Sequence, residues 1–328
     1  MADIAVVAQD PGFGGGSLAL ADAFVDAVRA NGREPELVYL PHPHFRPSRR
    51  ASLERIEAVR ILRGSRLLAA RLREARQVWV VAGHATHGLA AAISGRPYAC
   101  WVATSLHAEN TGRAPGLPVS RRLALYLNEP VLTRVERAVL RDAVRVYVTS
   151  PASRTDIARA GRLDEGAVRI LTPPVDASTF FPEPDESWLA RLEAPVIAFV
   201  GRSADPRKNV ALARAALAVV RRRIPHAELR VIGDGIASVA EPLREASLLL
   251  SPSRQEGFGI VVAEALASGV PVVATPSGGP EELLRASGAG RILGGFDAED
   301  MGNVAAELLS DPDLLLRMRH AGRQHVVR

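Results

Sequence analysis

The sequence predicts an α/β protein with parallel sheets in two halves, and three observations carry that prediction. Short, continuously apolar runs at 3–8 (DIAVVA), 78–82 and 196–200 (VIAFV) read as strands of a parallel sheet covered on both faces. Strand-like runs alternate with stretches of helical period along the whole chain, the pattern of βαβ units. At 328 residues with 47% apolar content, the chain is long enough for two cores. The expected division is an N-terminal domain at 1–175, a hinge and linker at 176–194, and a C-terminal domain at 195–328.

The first strand feeds the loop Pro11-Gly12-Phe13-Gly14-Gly15-Gly16-Ser17 and then a helix to about Ala30, stopped by Asn31-Gly32. Strand, glycine loop and helix form the unit that brings backbone close to phosphates or sugars. Ser17 takes the last glycine place of G-x-G-x-x-G, so a dinucleotide fingerprint is not met. The second strand is expected at 36–40. The stretch 46–76, with Arg46 and Arg76 at its ends, is dense in arginine with leucines interleaved, and reads as a helix pair broken at Gly64. It is either a solvated helix face or a basic, apolar surface for anionic lipid; sparse aromatics argue against nucleic acid.

After the strand at 78–82 comes Gly83-His84-Ala85-Thr86-His87-Gly88. The His-x-x-His spacing lacks the Glu of HExxH and any cluster of Cys or carboxylates, so no metal site is expected. His107 follows the strand at 98–104, at the end of a parallel strand where ligands bind. A helix is expected at 119–142, then strands at 145–149 and 168–171.

The C-terminal half opens with a polar linker at 183–193 and the strand 196–200. Its following loop, Gly201 to Asn209, holds Arg202 and the only lysine of the chain, Lys208. A compact ammonium kept where arginine is used everywhere else suits a phosphate oxygen in a tight space. A strand at 229–232 leads into Gly233-Asp234-Gly235, and the next strand begins a dozen residues later, about the minimum for a parallel crossover. The stretch 251–275 reads as strand end, tight loop Glu256-Gly257-Phe258-Gly259, helix from Ile260 to Ala267, and strand. The first helix amides lack intrahelical partners and the dipole favours an anion there. Glu264 sits in VVAEALA, where a buried carboxylate is costly without a hydrogen-bond partner. Eight residues separate it from Glu256, ~12 Å of helix, which is the length of a sugar nucleotide; a cap or an arginine pair is the structural alternative. Asp311-Pro312-Asp313 reads as a helix start.

The string EGFGIVVAEALASGVPVVAT, with Gly278-Gly279 and Glu282 after it, resembles the family-4 (group 1) retaining glycosyltransferases. Arg202 and Lys208-Asn209 are similar to that family's G-R…K-N stretch, and residues 172–182 to its hinge, with Pro173 and Pro174 where Asn and Gly are usual. The resemblance implies two Rossmann-like domains facing across a cleft, the glycosyltransferase B architecture, with the N-terminal domain on the acceptor side. It implies retaining, metal-independent transfer of a sugar from a nucleoside-diphosphate sugar to an acceptor hydroxyl, with no cofactor. Arg202 and Lys208 then bind the diphosphate, Glu256 and His107 the sugar, and Glu264 the ribose. The amides of Gly257, Phe258, Gly259 and Ile260 serve sugar and phosphate, Gly233 lines the donor site, and Gly15 and Gly16 line the acceptor side. The acceptor is a saccharide, a lipid-linked sugar or a small molecule. The chain departs from the family at the short crossover after Gly235, which normally offers backbone to the nucleobase. A non-catalytic partner protein that has lost donor-base contacts is therefore the alternative, and a nicotinamide-dependent dehydrogenase is third.

No uncharged apolar run reaches 18 residues, so no transmembrane helix is expected. The start MADIAVVAQD carries acidic residues and no basic stretch, unlike a signal peptide. The single Cys100 excludes an internal disulfide and fits a reducing compartment. The expected location is cytoplasmic, with peripheral contact at a membrane through residues 46–76.

Overall fold

A computed structural model describes residues 3–9, 16–39, 57–233 and 238–327. The chain divides into two compact units, Met1–Pro173 and Pro174–Arg328. In the first, the elements are β1 Ile4–Ala8, α1 Gly16–Ala30, β2 Pro35–Tyr39, α2 Glu57–Leu72, β3 Gln77–Ala82, α3 Leu89–Ser94, β4 Tyr98–Val102, α4 Leu106–Arg113, α5 Val119–Asp142, β5 Arg145–Val148, α6 Pro151–Gly161 and β6 Val168–Ile170. The second contains α7 Asp185–Ala190, β7 Val196–Val200, α8 Val210–Val220, β8 Glu228–Ile232, α9 Ala240–Arg244, β9 Leu248–Ser251, α10 Ile260–Ala267, β10 Val272–Ala274, α11 Gly279–Ser287, β11 Gly290–Ile292, α12 Ala298–Leu309 and α13 Pro312–Val326.

The first unit's sheet runs β2-β1-β3-β4-β5-β6 and the second's β11-β10-β9-β7-β8, with parallel pairing between every described neighbour. In both sheets the second strand lies on one side of the first and the third on the other. That reversal places a crevice at the C-terminal ends of β1 and β3 in one unit and of β7 and β9 in the other. β1, β7 and β9 are almost wholly buried because helices pack on both faces of each sheet. Val6, Val80, Cys100 and Val148 centre the first core; Phe199, Leu248, Leu249 and Val273 centre the second.

Two elements differ from the sequence expectation. Gly64 does not break a helix pair: it lies buried inside continuous α2, which packs against α3. A glycine there allows close helix approach at a cost of about 1 kcal/mol in propensity. The region 40–56, including the arginine-rich stretch from Arg46, lies outside the described residues. The crossover between β8 and β9 contains a helix, α9, whose Ala240 and Leu243 are buried. Residues 176–194, read as hinge and linker, belong to the second unit by their contacts. Trp188 of α7 is fully buried and its Nε1 donates to Ala246 O at 3.0 Å. Arg319 of α13, itself buried, holds this segment through Asp185 Oδ1 (2.9 Å) and the Glu183 carbonyl, and reaches Gly269 O at 2.9 Å. Asp311 N-caps α13 by accepting from the Leu314 amide, as the Asp-Pro-Asp pattern suggested.

Candidate active site

The crevice between β7 and β9 is built by two loops. Leaving β7, the chain passes Gly201 and Arg202 and reaches Lys208-Asn209, where Asn209 adopts a left-handed φ of +52° and starts α8. Asn is among the few side chains that tolerate that conformation. Leaving β9, it passes Ser253 and Arg254 and reaches Glu256-Gly257-Phe258-Gly259 at the start of α10. The loops meet directly: Lys208 Nζ donates to Glu256 Oε1 at 2.6 Å, and Arg254 N donates to Arg207 O at 2.8 Å. The predicted cation and the predicted carboxylate are thus neighbours, with each side chain less than one-fifth exposed.

A third loop locks Glu256 in place. Its amide donates to Ser277 O (2.8 Å) and its carbonyl accepts from Gly279 N (3.1 Å), a bridge continuing the sheet beyond β10. Gly279 has no room for a side chain, since a Cβ would lie 2.4 Å from Phe258 Cα and 2.6 Å from Gly257 O. Gly259 takes φ +83° as the N-cap of α10, with Pro280 filling the place of a Cβ. The Phe258 ring is buried, so this residue offers a ligand only its backbone. The first amides of α10 have no partner within the helix, and that helix end follows the Glu256 loop. Gly233 ends β8 beside Gly201, whose amide donates to Ile232 O at 2.8 Å.

Burial raises the Glu256 carboxyl, but the charges of Lys208 and Arg207, with hydrogen bonds from Lys208 and Ser253, outweigh it and hold the group below the ordinary carboxylate range. Glu256 is therefore an anion at neutral pH. Glu264, one and a half turns into α10, behaves oppositely. Burial pushes it up to about 7, and only the charge of Lys208 works against that. The hydrogen-bond partner expected for Glu264 is not supplied by the described residues. Arg202 lies 3.6 Å from buried Asp205 and is about one-third exposed. Arg207, which sequence reasoning missed, is more buried and holds the same Asp205 at 2.9 Å. Its signal was present as Arg207-Lys208, two adjacent cations in one loop. Ser253 was also missed; nothing in the motif singles out a serine that bonds Glu256.

In the first unit, Ser105 caps α4 by accepting from the Ala108 amide, and His107 sits in that helix's first turn. His107 is exposed, with Nδ1 2.6 Å from Glu129 Oε1 of α5. His84 is buried, its Nδ1 2.6 Å from the Thr86 hydroxyl. Below them lies Glu136 of α5, 1% exposed, which accepts from Leu106 N at 2.9 Å. Burial raises its carboxyl to about 7 against the hydrogen bonds from the Leu106 and Ala85 amides. It ties together the loops that follow β3 and β4, and it was hidden in sequence among helix-surface charges. Gly16 opens α1; Gly15 lies outside the described residues.

The model of the family described as glycosyl transferases group 1 matches residues 237–325. A GDP-mannose-dependent alpha-(1-6)-phosphatidylinositol monomannoside mannosyltransferase of Mycobacterium tuberculosis is 30% identical over 349 residues, covering 93% of this chain and 82% of that protein. The chain belongs to the group 1 glycosyltransferases. The protein of the same name from Mycolicibacterium smegmatis is 32% identical over 232 residues, and there the match spans 60% of the relative's length. The crystal structure of Anabaena HepE with UDP and glucose superposes at a TM-score of 0.70 over 99% of this chain and 94% of that one, at 17% identity. As a group 1 glycosyltransferase, the chain has the glycosyltransferase B fold, with two Rossmann-like domains.

Proposed function

We propose that this group 1 glycosyltransferase moves a sugar from a nucleoside-diphosphate sugar to an acceptor hydroxyl, with retention of anomeric configuration and without a metal ion. The observation that carries the reading is the Lys208–Glu256 pair at the β7/β9 crevice. Its placement at the reversal of strand order is where an α/β sheet binds nucleotides. The donor's diphosphate takes Lys208 away from Glu256, with Arg202 and Arg207 beside it and the first amides of α10 facing the phosphate oxygens. Glu256, freed from the ammonium, accepts from hydroxyls of the sugar. Glu264 takes the ribose hydroxyls. Gly233 and the backbone of Gly257 to Ile260 border the donor, while His107 and the Gly15-Gly16 loop serve the sugar and acceptor from the first unit.

In the transfer, the bond from the anomeric carbon to the phosphate oxygen breaks while the acceptor oxygen bonds on the same face. The departing phosphate oxygen takes the acceptor's proton. The charge growing on that phosphate is stabilised by fixed cations and helix amides in place of a divalent ion. The named activity of the mycobacterial relatives, a GDP-mannose donor and a phosphatidylinositol monomannoside acceptor, supports a GDP-sugar and a lipid-linked acceptor as the first pair to test. UDP bound to HepE makes uridine donors the second. The non-catalytic alternative is disfavoured by an intact cation–carboxylate pair. Turnover of GDP- and UDP-sugars in the presence of a chelator tests the reading. Undiminished release of nucleoside diphosphate is expected, and activity that appears only on adding a divalent ion would remove metal independence.

A further inference from the structure

One face of α5 is not explained by packing. Val119, Leu123, Tyr126 and Leu127, spaced at helical period, are 57–79% exposed, and Val131 is 41% exposed. The same face continues toward the C-terminus with Arg134 and Arg141, both exposed and neither in an ion pair among the described residues. A single helix face thus changes from apolar to cationic along its length. Beside it, bordered by Tyr126, opens a cavity of about 880 Å³ lined by Arg122, Arg134 and Arg137. The one carboxylate in that lining, Glu129, is already bonded to His107.

We propose that this face of α5 docks on an anionic lipid surface. The apolar turns enter the headgroup boundary while the arginines meet lipid phosphates, as an amphipathic helix does when it lies in a membrane interface. Arginine's planar fork suits phosphate, and each arginine at such a surface contributes about a five-fold gain in partitioning. No described helix is long and apolar enough to cross a membrane, so α5 lies on the surface and does not span it. Charge favours an anionic lipid surface over a second copy of this chain as the occupant. A two-fold contact would present this face with its own apolar and cationic groups, and the one carboxylate in the neighbouring lining, Glu129, is already bonded to His107. This surface is distinct from residues 46–76. Of that stretch, the described α2 buries Ile61, Ala69 and Leu72 in the first core.

The test is sedimentation of the full chain with vesicles of phosphatidylcholine alone or with about one-third phosphatidylglycerol. Binding to the anionic vesicles only is expected. Arg134→Gln and Arg141→Gln should each lower partitioning about five-fold, and Leu123→Gln with Leu127→Gln should lower it more than ten-fold. All four positions are exposed, so the variants should melt as the parent does. No sedimentation, equal binding to neutral vesicles, or variants that bind like the parent overturns the proposal; the last result moves docking to another surface. A parent dimer that Leu127→Gln converts to monomer also overturns it, and makes this face a contact between copies.

Discussion

Glu264, like Glu136, is a carboxyl that burial carries far above the ordinary carboxylate range. It lies in an apolar helix and is raised to about 7 by burial, with the charge of Lys208 working against the shift. In the unfolded chain it titrates near 4.5. Between those values the folded protein holds a proton that the unfolded chain has lost, so its contribution to stability is full below the lower value and is lost as pH rises through the upper one. The loss is on the order of 2 kcal/mol, allowing for partial solvation. Glu264→Gln should therefore flatten the pH dependence of urea-induced unfolding between about pH 5 and pH 8. It should also be more stable than the parent at the upper end while binding donor more weakly. Glu136 shifts in the same direction and stays in the variant, so some slope remains. Equal slopes in parent and variant would mean that Glu264 is solvated. Glu256 shows why burial alone does not set a protonation state: it too is buried, yet Lys208 and Arg207 keep it charged.

At the scale of elements, the crevice depends on three loops pressed backbone to backbone. Gly279→Ala places a methyl group against Phe258 Cα and Gly257 O, which are main-chain atoms that cannot swing aside. A destabilisation of about 1–3 kcal/mol is expected, with weaker nucleotide binding because the Glu256 loop must move. Gly294→Ala, where a Cβ meets nothing within 4 Å, is the control and should change neither. Melting curves with and without nucleotide separate the two effects, and an unperturbed Gly279→Ala would show that the loops are not in contact. The elements were largely legible in the sequence because a short, continuous apolar run that ends in a glycine-bearing loop fits little besides a buried parallel strand. α5 was read to its final residue from its leucine and arginine spacing. Gly64 misled because a glycine inside a helical pattern marks either a break or a close helix contact, and only packing against α3 distinguishes them. Trp188 and α7 were hidden in a polar, proline-bearing stretch whose few apolar side chains, Trp188 with Leu189 and Leu192, find their core through distant chain. Arg207 acts on Glu256 from the loop after the neighbouring strand, and Ser253 from three residues away in the same loop, where nothing in the motif marks a serine as a partner.

For the whole molecule, each unit carries its own reversed strand order, and chemistry-bearing residues gather at the C-terminal ends of both sheets. The two motifs that resembled a known family, one around Lys208 and one around Glu256, are nearly fifty residues apart in sequence. Their meeting at 2.6 Å is a product of the parallel sheet, since β7 and β9 are neighbours while β8 lies on the far side. A fold that set these loops apart would leave the motifs without a shared site. Calorimetric titration of GDP and UDP into the parent and into Lys208→Ala asks whether the shared site holds a nucleotide. The parent should bind at least one of them in the presence of a chelator, and the variant should lose about 2–4 kcal/mol of affinity. Binding of neither nucleotide by the parent, or equal binding by both proteins, would contradict a donor site built on this pair.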